Sequence, residues 1–241
     1  MNIALVLSGG TGRRMGLDMP KQYIEVCGSL IISYCMETLS GHNGIDAIQI
    51  VAEEEWQELI SESVKKLAKA EESKISGKFK GFSKPGVNRQ LSILNGLEDI
   101  KDYASDSDYV LIHDAARPML SMQQISDCLG AVTGHDGVIP VLPMKDTVYS
   151  SEDGRTITSL LSRSQIFAGQ APELFVLGKY YEANTSLLPE DILKINGSTE
   201  PAVMAGMDIA MIPGDENNFK ITTRADLERF ESILRDQACD E

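Results

Sequence analysis

Asn2-Ile3-Ala4-Leu5-Val6-Leu7-Ser8-Gly9-Gly10-Thr11-Gly12-Arg13-Arg14-Met15-Gly16, followed by Pro20-Lys21-Gln22, is the stretch on which the fold turns. The apolar run Asn2–Leu7 stops at Gly9-Gly10, the pattern of a buried strand entering a tight loop. Glycines there let backbone N–H groups approach a phosphate or a base with no Cβ in the way. A dinucleotide fingerprint needs G-x-G-x-x-G at the head of a long helix. Here Gly10, Gly12 and Gly16 have the wrong last spacing, and Pro20 stops a long helix. A Walker loop needs Gly-Lys-Ser/Thr, and this chain has Arg13-Arg14 instead. A plain structural turn stays open for the glycines taken alone. The remaining reading uses the cations. Arg14 and Lys21 flank the loop, so both reach a triphosphate held there. Fixed positive groups at that place stabilise the charge that grows on an attacked α-phosphate and on departing pyrophosphate.

Outward from this loop, the chain alternates strand and helix patterns. Ala47–Val51, Lys78–Ser83, Tyr109–Ile112, Gly137–Leu142 and Ile209–Ile212 read as short strands, with Pro140 marking an edge or a bend. Leu30–Leu39, Glu53–Ala70 and Gln90–Ile100 read as helices, and Trp56, Leu59, Ile60, Val64, Leu67 and Ala68 share one face of the second. Ser121 with Gln124, and Thr223 before Ala225–Leu234, mark two further helix starts. Such alternation predicts an α/β protein, a mainly parallel sheet in three layers. The segment Lys145–Phe167 breaks the rhythm. Thr147–Ser150 and Thr156–Leu160 flank the turn Glu152-Asp153-Gly154, a hairpin too thin in apolar residues to stand alone. The pattern therefore predicts that the hairpin leans on a second subunit.

Composition narrows the classes. In 241 residues, 42% are hydrophobic and 24% charged, values that allow a sizeable core, and no linker divides the chain. A formal net charge of −14 argues against a nucleic-acid partner, yet not against a nucleotide held by a few cations in one cleft. Cys27, Cys35, Cys128 and Cys239 form no CxxC pair and no cluster with His, so a zinc or disulfide framework is not expected. With no apolar run near the ~20 residues of a membrane span, a reducing cytoplasm is the expected location.

The run GGTGRRMG-x-x-x-PKQ resembles the opening motif of the sugar nucleotidyltransferases. It is most similar to the 2-C-methyl-D-erythritol 4-phosphate and ribitol-5-phosphate cytidylyltransferases, and further motifs recur in order along nearly the whole chain. The resemblance implies a Rossmann-like nucleotidyltransferase fold over 1–241 with a protruding β-arm at about 143–167. It also implies a homodimer joined through that arm and transfer of CMP from CTP to a polyol phosphate, with Mg²⁺. The nucleotide site is then Ser8, Gly9, Gly10, Thr11 and Gly12, with Gly86 and Ser92 of Gly86–Leu97 on the cytosine ring. Arg14, Lys21 and Lys220 of Asn218-Phe219-Lys220-Ile221-Thr222 become the cations around the α-phosphate. Asp114 of His113-Asp114-Ala115-Ala116-Arg117-Pro118 stands at a strand end, near the polyol and placed to ligate magnesium, whose shell takes one or two carboxylates. His113 reads as packing, and Arg117 as a structural partner of a carboxylate or carbonyls. Thr147 and Arg163 match the pair that reaches from a neighbouring subunit to the polyol phosphate.

The chain departs from its relatives at Val87, where many carry Asp, at Ala171, where they carry Thr, and over 196–202, where an acidic pair shrinks to Glu200. Asn217 stands where many have an acid. Ala116 and Ser92 follow the methylerythritol branch, which places the expected activity in isoprenoid precursor synthesis. Ribitol 5-phosphate, for cell-surface polymers, is the alternative substrate. A non-catalytic nucleotide-binding module and a nicotinamide dehydrogenase are rivals of other classes.

Overall fold

The computed structural model describes residues 1–10, 19–69 and 74–239. Its strands are β1 (Asn2–Leu7), β2 (Glu25–Val26), β3 (Ser29–Leu30), β4 (Ala47–Val51), β5 (Phe79–Ser83), β6 (Tyr109–Asp114), β7 (Gly137–Pro143), β8 (Tyr149–Ser150), β9 (Ser159–Leu160), β10 (Phe167–Gly169), β11 (Glu173–Val176) and β12 (Ile209–Pro213). The helices are α1 (Ile31–Gly41), α2 (Glu54–Leu67), α3 (Ile75–Lys78), α4 (Arg89–Lys101), α5 (Met122–Ala131), α6 (Leu177–Thr185), α7 (Glu200–Met204) and α8 (Arg224–Cys239).

Eight strands form the central sheet, in the order β10-β7-β11-β6-β1-β4-β5 with β12 also on β7. Strand β1 lies between β4 and β6, both parallel to it. The chain thus winds outward from β1 in one direction and returns on its other side. That reversal opens a crevice at the carboxyl ends of β1 and β6, where Leu7 pairs with Asp114. Alternation along β1 covers both faces of the sheet. Ala4 and Val6 pack with α1, α2 and α5 residues such as Met36, Ile60 and Ile125, while Ile3 and Leu5 pack with Ile93, Leu97 and Tyr180 of α4 and α6. Ile3 through Val6 are wholly buried, and each large aliphatic side chain so placed stabilises the fold by about 1.5–3 kcal/mol. Three layers result, as the alternation predicts. The six apolar residues expected on one face of α2 all join that core.

The structure differs from the sequence reading in three places. The sequence reading lacks strands β10 and β11, which run antiparallel, β10 to β7 and β11 between β6 and β7, within the mainly parallel sheet that it predicts. Pro140 is not at an edge. It sits in interior strand β7, between the residues that pair with β11 and those that pair with β10, and its carbonyl accepts from Gln170 N–H at 2.8 Å. A break in the ladder is where a strand tolerates a residue lacking an N–H. The small hairpin β2–β3 has no Asn-Gly signal, because Cys27 and Gly28 take the positive φ values, 49° and 80°.

The expected arm is present as β8 paired with β9, shorter than predicted. Tyr149, Ile157 and Leu160 are 53%, 65% and 66% exposed on it. Among the described residues, no helix is long and apolar enough to cross a membrane.

Candidate active site

The crevice at the ends of β1 and β6 opens into a cleft of about 620 Å³, a size suited to a nucleotide. Beside the end of β4, which contributes Val51 and Glu53, four pieces of chain carry the site residues into it, and local chemistry fixes each.

The glycine turn is held from beneath by the Pro20-Lys21-Gln22-Tyr23 segment. Gln22 Nε2 donates to Ser8 O at 2.7 Å and Gly10 O at 2.8 Å, and Tyr23 hydroxyl donates to Ser8 O at 2.9 Å. Ser8 itself is buried with its hydroxyl on Tyr23, and the cleft is lined instead by Gly9 and Gly10. A Cβ at Gly9 would meet Pro85 at 3.0 Å, a tight contact that favours glycine there. With Gln22 and Tyr23 turned inward, Lys21 lines the cleft. Thr11, Gly12 and Arg14 lie outside the described residues.

The second piece is the loop entering α4. Asn88 caps the helix by accepting from Leu91 N–H at 2.8 Å. Ser92 hydroxyl donates to Asn88 O at 2.8 Å and accepts from Gly86 N–H at 3.0 Å. It therefore closes the loop and keeps one lone pair for a ligand. A Cβ on Gly86 would come within 2.4 Å of Leu91 Cβ. Val87, the departure from the relatives, stands 88% exposed at the rim of the cleft.

Asp114 at the end of β6 is only 6% exposed and meets three cations of its own chain. Arg89 Nη1 donates to Oδ1, Lys220 Nζ donates to Oδ2 at 2.9 Å, and Arg117 Nε lies 3.6 Å from Oδ2. Burial disfavours its charge, but Arg89 and Lys220 outweigh that and hold the carboxyl far below the usual carboxylate range. The expected magnesium ligand is thus ionised and faces the cleft, with its oxygens already engaged. Among the described residues, no group of three His, Cys, Asp or Glu could hold a metal. His113 is fully buried, as read from sequence, and its imidazole is pushed down to about 4 by desolvation. Arg117 pairs as expected, its Nη1 donating to Asn218 O at 2.7 Å.

Lys220 arrives on the fourth piece. Asn218 anchors it, fully buried, with Nδ2 donating to Ala171 O at 2.8 Å and Gln124 Oε1 at 2.9 Å. Ser121 caps α5 as predicted, at 3.1 Å from Gln124 N, but the Gln124 side chain is turned to Asn218 rather than back to the cap. Ile221 N–H donates to Ala116 O, so residue 220 is left on the open side, where it lines the cleft.

Lys21, Lys220, Asp114, Gly86 and Ser92 are thus brought to one cleft with Gly9 and Gly10. Thr147 and Arg163 are not. Both are exposed on the arm, where Arg163 Nη1 donates to Lys145 O at 2.9 Å. Among the cleft residues that the sequence reading missed is Arg89. It sits inside a motif quoted for its Gly and Ser, and a cation at the head of a helix beside a nucleotide loop was the available signal. Ala171 is buried and is not part of the cleft lining.

Residues 2–236 match the family model described as 2-C-methyl-D-erythritol 4-phosphate cytidylyltransferase. The chain is 30% identical to the enzyme of that name from Nitrosomonas eutropha, over 98% of this chain and 97% of that one. It is 28% identical to the ribitol-5-phosphate cytidylyltransferase of Streptococcus agalactiae, over 97% and 95%. It spans about half the length, 56%, of the bifunctional IspD/IspF relatives that it matches. In fold it resembles the 4-diphosphocytidyl-2C-methyl-D-erythritol synthase of Anaerococcus prevotii, with a TM-score of 0.80, 24% identity and coverage of 97% and 96%.

Proposed function

The chain belongs to the 2-C-methyl-D-erythritol 4-phosphate cytidylyltransferase family, and from that premise we propose that it transfers CMP from CTP to 2-C-methyl-D-erythritol 4-phosphate and releases pyrophosphate. The carrying observation is that Lys21 and Lys220 line one cleft with the glycine turn and Asp114. Cytosine lies against Gly86 and Ser92, whose remaining lone pair accepts from the exocyclic amine. The triphosphate lies beneath Gly9 and Gly10. A phosphate oxygen of the polyol attacks the α-phosphorus; that P–O bond forms as the bond to the β-phosphate oxygen breaks, and the electron pair leaves with pyrophosphate. Lys21 and Lys220, with Arg14, hold the charge of the five-coordinate state. A phosphate monoester is already anionic, so no strong general base is required.

Magnesium, when bound, would supply positive charge that offsets that of the triphosphate. The residues present fit one protein ligand to it, Asp114, which is ionised and has about one acceptor position left beside its three cations. Phosphates and water would fill the rest of its shell. Thr147 and Arg163 serve the polyol phosphate of a neighbouring subunit, and the exposed apolar residues of the arm are the contact that joins the homodimer.

A second substrate, ribitol 5-phosphate, is supported by the Streptococcus relative. Pyrophosphate release with CTP, Mg²⁺ and each polyol phosphate decides. Faster turnover of methylerythritol phosphate is expected. Turnover of the pentitol alone reverses the assignment, and turnover of neither leaves only a nucleotide-binding module.

A further inference from the structure

Arg89 is held at both ends. One Nη reaches Asp114, and the other donates to Ser198 Oγ at 3.2 Å. Ser198 is 2% exposed and does not line the cleft. Its hydroxyl hydrogen-bonds the carboxylate of Glu173, at the start of β11, which also accepts from Thr199 Oγ1 at 3.1 Å. Ser198 O accepts from Tyr180 hydroxyl at 2.6 Å, and that ring stacks on Phe175 at 4.1 Å between centroids. The far end of the guanidinium therefore rests on packed, hydrogen-bonded groups. Its near end takes Oδ1 of Asp114 and leaves Oδ2 to the hydrogen bond from Lys220, with Arg117 Nε 3.6 Å from the same oxygen.

Burial works against the Arg89 charge, but the neighbouring Asp114 more than offsets it and keeps the guanidinium protonated. A lysine would carry the same charge without the fork, and so could not span both partners. A carboxylate held at one oxygen cannot swing about its terminal torsion, and the cation on its other oxygen inherits that fixity.

We propose that Arg89 is a positioning residue for the transfer reaction. Braced on Ser198 and Glu173, it fixes Asp114, and through Asp114 it fixes Lys220 at the reacting phosphate. This rests on the cytidylyltransferase reading above. It also gives the 196–202 segment a part in the site: the Ser198 hydroxyl is the rear support of a cleft cation.

The test is a double-mutant cycle of Arg89→Lys and Ser198→Ala, with kcat and both KM values, CTP affinity by calorimetry and urea unfolding. Arg89→Lys is expected to lower kcat by about 30-fold, within the cost of a misplacement on the order of 1 Å. Ser198→Ala should lower it by about tenfold, the rate equivalent of one weak charge-assisted hydrogen bond. KM for CTP should stay within about threefold in both, because Lys220 acts chiefly in the transition state. The double variant should match Arg89→Lys alone within about twofold, because both changes cut one chain of contacts. Multiplied kcat losses overturn the inference, as does wild-type kcat in variants that are merely less stable to urea. Should Arg89→Lys not fold, Ser198→Ala decides, since unchanged kcat there removes the brace. An inactive wild type that still binds CTP identifies failure of the underlying reading instead, and the inference falls with it.

Discussion

Asp114 is nearly buried at the end of β6 and is held by Arg89, Lys220 and Arg117 of its own chain. Thr147 and Arg163, matched to the same site by motif, stand in solvent on a hairpin of two short strands. The cleft is built inward. Buried polar groups hold its parts from beneath, from Gln22 under the glycine turn to Asn218 under the segment of Lys220. The arm is built outward, with Tyr149 and Leu160 exposed and no core beneath them. A chain can hold a phosphate site by itself when burial and charge pairing fix the donors. A ribbon with no covered face does not fix donors in this way, and that half of the proposed site is the one the proposed homodimer would complete.

Replacing either cleft cation strikes the comparison hardest. Lys220→Ala and Lys21→Ala should each lower kcat by about 10² to 10³, the range for a lost transition-state charge partner. Steady-state pyrophosphate release reads this, and near-normal kcat would place the chemistry elsewhere. Arg163→Ala should cost about 10- to 100-fold in kcat/KM for the polyol phosphate, the loss of one charge-assisted hydrogen bond, with KM for CTP unchanged. A matching rise in KM for CTP would erase the division between cleft and arm.

The segment that carries Lys220 sharpens the comparison from the stability side. Asp226, at the start of α8, accepts from the N–H and hydroxyl groups of Thr222 and Thr223. Partial burial pushes its carboxyl up, but these hydrogen bonds prevail and bring it down to about 2. A folded pKa below the unfolded value means stability present above about pH 4 and lost as pH falls through about 2. Asp226→Asn should therefore cost about 1 kcal/mol at pH 7, after allowance for solvent, in urea titrations. That gap should close between pH 4 and 2. Leu160→Asp on the arm should have the smallest effect on the fold, under about 0.5 kcal/mol, while sedimentation shifts toward monomer. A large loss of fold stability would show that the arm is packed on its own chain.

The same contrast explains what could be read beforehand. Strands β1 and β4 were legible to the residue because parallel strands covered on both faces read as mostly apolar runs, Ile3–Val6 in β1 and Ala47–Val51 around the one polar Gln49 in β4. The short strands β10 and β11 were not, since three or four residues carry too little period and the partners that orient them lie far along the chain. Lys21 and Lys220 were legible through motifs, while the fork of Arg89 between Asp114 and Ser198 depends on groups 25 and 109 residues away. Thr223 was read as the cap of the last helix, and Asp226 completes it.

The most direct test joins the two regions. Chains bearing Lys220→Ala and Arg163→Ala carry different tags, are produced together, and the mixed dimer is isolated. One of its two sites then has a wild-type cleft and a wild-type arm from opposite subunits. Turnover at about half the wild-type rate is predicted, far above either parent. A mixed dimer no faster than its parents would contradict the account, because the arm would then serve the cleft of its own chain or none.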